Sequence, residues 1–216
     1  MRRSREGEST RIANKVEALA GRSREAGGGN LRVKGELRST KMHTHDPAFR
    51  FCPVCGGPLE LRQLKAGDPA RLVCVNCAHI LYLDPKVAVG TVITMADERI
   101  VLVRRAIEPG YGLWVFPGGY VDRGEEITVA AIREAREEAG LDVRLDGLIN
   151  VYSYAGRPIV IVVYKASAVG GTLRIDEESL EARLFSRAEI PWSELAFRST
   201  REALEDYFTR TIHPIR

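Results

Sequence analysis

Residues 87–95 and 100–105 alternate or run apolar in strand fashion. They are split by the polar turn Ala96-Asp97-Glu98-Arg99, a pattern that predicts a β-hairpin. A short apolar segment at 113–116 then enters the turn Pro117-Gly118-Gly119, and 148–154 with 158–166 predict a second strand pair around Ala155-Gly156-Arg157. A further short strand is expected at 182–186, and residues 201–209 predict a closing helix with Leu204, Tyr207 and Phe208 on one side. Strands flanked by helices point to an α/β/α architecture with a mixed sheet between the helices. No internal repeat is present.

The stretch between Glu125 and Gly140 changes period. At about 100° per residue, with Glu134 set to zero, Glu137 falls near 300° and Glu138 near 40°, so the three acids share one stripe of a helix. Thr128, Ala131, Ile132, Ala135 and Ala139 form a separate packing face, and Gly140 reads as the helix stop. Like charges at i,i+3 and i,i+4 repel by a few tenths of a kcal/mol per pair. Arg133, four residues before Glu137, can neutralise part of the cluster. Hard oxygen donors gathered in this way also suit Mg²⁺ or Mn²⁺. A solvated acidic face is the alternative that acids alone would allow.

The whole pattern is more specific than the acids. The order G-x5-E-x7-R-E-U-x-E-E-x-G-U, with U aliphatic, is met by Gly119, Glu125, Arg133, Glu134, Ala135, Glu137, Glu138, Gly140 and Leu141. It resembles a Nudix box. The resemblance implies a Nudix α/β/α sandwich and hydrolysis of a nucleoside diphosphate linked to another moiety. It further implies that Glu134, Glu137 and Glu138 hold catalytic Mg²⁺ or Mn²⁺, with the Gly119 carbonyl as an extra ligand. Arg133 is expected to orient a glutamate, with Glu125 as its structural partner. Members of the family commonly take one more carboxylate from the segment entering a late strand. Glu181 is the first choice for it and Glu178 the second. Tyr82, Tyr111, Tyr152 and Tyr154 are candidates for stacking on a base or flavin, with core packing as the alternative for each.

All four cysteines lie in Cys52-Pro-Val-Cys55 and Cys74-Val-Asn-Cys77, two C-x2-C pairs 18 residues apart. This spacing predicts a zinc ribbon with a closed four-thiolate shell, hence a structural Zn²⁺. Disulfides would require an oxidising compartment, and no secretory signal is present, so a cytoplasmic location is expected. The ribbon carries Arg62, Lys65 and Arg71 but shows few aromatics that read as exposed, which predicts no stacking platform for nucleic acid.

Net charge is +3, unevenly placed: residues 1–45 hold 11 Lys/Arg against 5 Glu, so the remainder is net negative. The first 46 residues, poor in aromatics and containing Gly27-Gly28-Gly29, read as a disordered basic tail. Met42 offers an alternative start, while a nucleic-acid arm or a targeting peptide is the functional alternative. The expected division is 1–46 tail, 47–86 zinc ribbon and linker, and 87–212 hydrolase domain. No run approaches the ~18 apolar residues of a membrane span, so no membrane partner is expected.

Ribbon and box together, joined by Tyr82-Leu-Asp-Pro85-Lys86 and followed by Ile190-Pro-Trp-Ser-Glu-Leu-Ala-Phe197, resemble the zinc-ribbon Nudix hydrolases that act on ADP-ribose and FAD. NADH pyrophosphatases combine the same two modules, but their SQPWPFPxS marker is absent; the corresponding stretch reads DVRLDGLINVYSYAGRP. The expected substrate is therefore a nucleoside diphosphate derivative such as ADP-ribose or FAD, released as AMP, with a homodimer in keeping with the resemblance. The alternatives are an NADH pyrophosphatase and a non-catalytic nucleotide sensor acting on nucleic acid, the latter disfavoured by the intact glutamates.

Overall fold

The computed structural model describes residues 49–209. The tail expected at 1–46 lies outside the described residues.

A small antiparallel sheet comes first, β1 (Leu59–Arg62), β2 (Arg71–Cys74) and β3 (Ile80–Leu81), in that spatial order. A larger mixed sheet follows, formed by β4 (Lys86–Thr94), β5 (Ile100–Arg105), β6 (Trp114–Val115), β7 (Leu141–Ser153), β8 (Ile159–Gly171) and β9 (Ser179–Phe185). Its order is β6-β5-β4-β8-β7, with β9 also paired to β5. Strands β4 and β8 run parallel, and every other pairing is antiparallel.

Two helices cover opposite faces of this sheet. Helix α1 (Ile127–Ala139) sets Ala135 and Ala139 against Ile93, Val101, Leu141 and Ala166, and Ala130 and Ala131 against Val89 and Tyr164. Helix α2 (Arg198–Thr209) places Ala203 and Leu204 against Val92, Ile100, Leu102 and Phe185. The alternation of side chains along a strand explains the split: Ile100 and Leu102 face α2 while Val101 faces α1. Alanines let α1 approach the sheet closely, which is how Glu134, one turn along from Ala130 and Ala131, comes to be buried.

Two expectations for α1 need correction. Ile132, assigned to the packing face, is 40% exposed, and Glu134, assigned to a separate acid face, is buried. The packing stripe is centred on the alanines, which put Ile132 at its solvent edge.

Strand β4 meets β5 only at Thr94–Ile100, so the two diverge. The segment after β6 enters the gap: Thr91 donates to the Pro117 carbonyl, Val89 to Gly119 and Val121 to Val87. This fastens the Pro117-Gly118-Gly119 turn to the sheet beside α1. At the far end of the helix, Gly140 adopts φ 68°, a left-handed conformation that glycine tolerates, and its N–H caps the Ala135 and Arg136 carbonyls. Strand β7 begins at Leu141 directly after this stop, seven residues earlier than the alternation suggested. Register shifts at Asp142/Val143, Leu145/Gly147 and Leu148/Asn150 break its period-two pattern, which hides the strand from a periodicity reading.

Candidate active site

Arg133 projects from α1 into the carboxylates around it. Its Nε and Nη2 donate to the two oxygens of Glu125 at 2.9 and 3.0 Å, Nη1 donates to Glu134 at 2.7 Å and to Glu137 at 3.0 Å, and Nη2 also donates to the Tyr120 carbonyl at 3.1 Å. The guanidinium thus joins the turn at Tyr120, the start of the helix and two glutamates. Arg133 beside it, together with the Asp122 N–H, holds the Glu125 carboxyl down at about 2, and the reciprocal pairing pushes Arg133 further up.

Glu138 and Glu134 also meet the glycine turn. Glu138 accepts the Gly118 N–H at 2.7 Å. Glu134 lies against Gly119 so closely that a Cβ there would stand 2.6 Å from its Oε1 and 2.7 Å from its Oε2. A side chain at 119 would therefore displace the Glu134 carboxylate. Burial pushes the Glu138 carboxyl up to about 8, countered by the Gly118 N–H, raised further by the charges of Glu134 and Asp176, and eased by Arg105. Glu134 is likewise raised, mainly by burial and against the pull of Arg133. Two desolvated, mutually repelling carboxylates, Glu134 buried and Glu138 partly so, fit a divalent cation, which would favour their charged forms.

The structure brings Glu125, Arg133, Glu134, Glu137, Glu138 and Gly119 together. The Gly119 carbonyl already accepts the Val89 N–H at 2.9 Å, which leaves one lone pair. Glu181 stands elsewhere. It sits opposite Arg104 in the β5–β9 pairing, two steps from Arg183 and four from Phe185, on the face covered by α2. Glu178 offers its backbone carbonyl to Ala106 at 2.7 Å. The acid of this segment whose charge reaches Glu138 is Asp176, whose Oδ1 caps the Glu178 N–H at 3.1 Å. Asp176 and Arg105 were not singled out by sequence. An Asp that bonds an N–H two residues on is a turn signal, but the identity of its neighbour across the fold is not encoded locally.

Of the aromatic candidates, Tyr152 is buried with its hydroxyl on Asp206, and Tyr154 donates to Glu202 at 2.7 Å. Tyr82 and Tyr111 are each 57% exposed.

In the small sheet the four cysteine sulfurs lie within 4.8 Å of one another, with Cys52–Cys77 at 3.7 Å, Cys55–Cys74 at 3.5 Å and Cys55–Cys77 at 3.3 Å. A tetrahedral zinc with ~2.3 Å bonds puts its sulfurs ~3.8 Å apart, whereas a disulfide needs ~2.05 Å. The backbone N–H of Val54 points at Cys52 Sγ and that of Cys77 at Cys74 Sγ, as knuckle turns require. The cluster is therefore consistent with a structural zinc site. The ribbon exposes Phe51 at 67%, while Tyr82 carries Arg71 over its ring at 5.4 Å.

Residues 84–207 match the NUDIX domain family, and residues 50–83 match the Nudix N-terminal family of zinc ribbons. The chain belongs to the Nudix family. A crystal structure of a NUDIX hydrolase from Nitrosomonas europaea is similar over 76% of this chain and 96% of that one, with a TM-score of 0.71 and 32% identity. An ADP-ribose pyrophosphatase of Methanocaldococcus jannaschii is 34% identical over 131 residues, 59% of this chain and 75% of the relative. The NAD-capped RNA hydrolase NudC of Stutzerimonas stutzeri is 28% identical over 177 residues, 81% of this chain and 61% of the relative. As a Nudix hydrolase, the chain performs metal-dependent hydrolysis of a pyrophosphate linkage in a nucleotide-derived substrate. Among the described residues no helix is long and apolar enough to cross a membrane.

Proposed function

We propose that this Nudix hydrolase cleaves the P–O–P bridge of a nucleoside diphosphate derivative, ADP-ribose first, with water adding to one phosphorus to release AMP and ribose 5-phosphate. FAD, yielding AMP and FMN, is the second substrate of the same class. The observation that carries the chemistry is the meeting of Glu134 and Glu138 with the Gly118-Gly119 turn, with Glu137 joined to Glu134 through Arg133. The likeness to the Methanocaldococcus ADP-ribose pyrophosphatase supports the substrate.

Glu134, Glu137, Glu138 and the Gly119 carbonyl form the proposed ligand set for Mg²⁺ or Mn²⁺. When bound, such ions neutralise the diphosphate and make bound water more acidic. The chain's own part is positional. Arg133 sets the orientation of Glu134 and Glu137 and ties them to Glu125, while the Gly118 N–H sets Glu138. Asp176 is the extra carboxylate of this proposal, since Glu181 faces α2. Residues 47–86 are taken as ribbon and linker and 87–212 as the hydrolase domain, the division falling after Lys86, the first residue of β4.

The test is a panel of ADP-ribose, FAD, NADH and NAD-capped RNA with Mg²⁺ or Mn²⁺, products identified by mass, with Glu137→Gln as control. ADP-ribose is expected to give AMP at the highest kcat/KM, and the variant to lose turnover. Undiminished turnover in the variant would remove Glu137 from the ligand set. Preference for NADH or capped RNA would favour a second reading, which the extension of the NudC likeness over 81% of this chain supports.

A further inference from the structure

On the face of the sheet away from α1, two arginines and two aromatic rings surround a hollow that the hydrolase site does not use. One 3-10 turn, Arg187–Glu189, follows β9, and another, Trp192–Glu194, leads into α2. With α2 they border an open hollow of about 170 Å³ lined by Arg187, Trp192, Arg201, Glu205, Phe208 and Thr209. The guanidinium carbon of Arg187 lies 4.9 Å from the centre of the Phe208 ring, and that of Arg201 lies 5.8 Å from Trp192.

Stacking of this kind occupies the faces of a guanidinium and leaves its in-plane N–H donors available. Arg201 uses one on the Trp192 carbonyl. Among the described residues Arg187 makes no hydrogen bond, and neither arginine forms an ion pair. Two exposed cations are thus held beside rings, with several donors unengaged among the described residues. Stacking also reduces the entropy lost when those donors engage a ligand.

The size of the hollow decides what it can take. Pockets for whole drug-sized ligands run from roughly 300 Å³ upward, so this one accommodates a single small group of a larger molecule. Paired guanidinium forks favour a phosphate, which accepts two parallel N–H bonds from each. Trp192 supplies a surface for a ring beside it. Glu205, the one carboxylate on the rim, would repel a bare anion but can accept a sugar hydroxyl.

We propose that this hollow is a second ligand site, binding the phosphate of a nucleotide-type phosphate ester through Arg187 and Arg201. Its lining shares no residue with the hydrolase site, whose carboxylates gather around Arg133 and the Gly118-Gly119 turn.

The chain contains two tryptophans, and Trp114 is buried against Phe185, so Trp192 serves as the reporter. Full-length, zinc-loaded protein without added Mg²⁺ or Mn²⁺ is titrated with AMP, inorganic phosphate and a 5′-phosphorylated oligoribonucleotide while Trp emission is followed. Saturable change with AMP is expected, lost in Trp192→Phe. The double variant R187Q/R201Q should weaken binding by about tenfold or more, while ADP-ribose hydrolysis stays within about twofold of wild type. Tighter binding of AMP than of phosphate supports an ester ligand, and comparison with the oligonucleotide separates a free nucleotide from an RNA end. No saturable signal at millimolar AMP, phosphate binding as tightly as AMP, or unaltered affinity in R187Q/R201Q would overturn the proposal.

Discussion

Arg133 grips both oxygens of Glu125, Nε to Oε1 at 2.9 Å and Nη2 to Oε2 at 3.0 Å, across two turns of α1. The fork fixes the plane of the guanidinium, and that plane sets where Nη1 meets Glu134 and Glu137. A lysine cannot reproduce it, because an ammonium is a point charge. Arg133→Lys is therefore expected to lower kcat by about 10- to 100-fold with little change in the thermal midpoint. Wild-type kcat in the lysine variant would show that charge alone suffices.

The same pair makes acid stability depend on pH. The Glu125 carboxyl ordinarily titrates near 4.5 and is held at about 2 in the fold. A depressed folded value means that its contribution is fully present above about pH 4.5 and is lost as pH falls towards 2. Urea midpoints measured from pH 5 down to pH 2.5 should fall more steeply for wild type than for Glu125→Gln. Parallel curves would remove Glu125 from the acid response.

Gly119→Ala is expected to fold and fail in catalysis. The added Cβ would stand 2.6 Å from Glu134 Oε1, and the carboxylate must move to relieve it. A displacement near 1 Å costs on the order of 10²-fold in rate, so kcat/KM should drop by about that factor. Gly90→Ala makes the opposite kind of change: its Cβ meets the Phe116 ring in the core, and overpacking costs about 1–3 kcal/mol. Thermal unfolding and kinetics on the two variants separate these effects.

Zinc should be bound at one ion per chain and lost in Cys55→Ser. Binding to four thiolates supplies roughly 10–16 kcal/mol in isolated zinc modules, far more than strands of four, four and two residues can gain by pairing. Chelation should expose the ribbon to protease while leaving the larger sheet intact. A ribbon equally resistant without metal would contradict the structural role.

The box residues were legible in the chain because their chemistry is local. Eight of them span Glu125 to Leu141, and one helix carries most of their geometry. The cysteine pairs were legible for the same reason, each on its own short turn. The early start of β7 was not, since three bulges scramble its alternation, and Ile132 was misplaced because small alanines rather than the larger aliphatic side chain define the packing stripe.

The acid from the late strand shows where local reading stops. Glu181 and Asp176 are equally acidic in the sequence, and only the pairing of β9 with β5 assigns them. The register puts Glu181 opposite Arg104 on the α2 face, whereas Asp176 lies before the strand, where its charge reaches Glu138. By itself, then, the chain determined the family, the three glutamates, the arginine that holds two of them and the four-thiolate cluster. Tertiary structure decided the burial of Glu134, the contact of Glu138 with Gly118, the reach of the Asp176 charge to Glu138 and the stacked arginines beside α2. The physical reason is that strand side chains alternate between faces, so one step of register, set by a partner dozens of residues away, moves a side chain across the sheet.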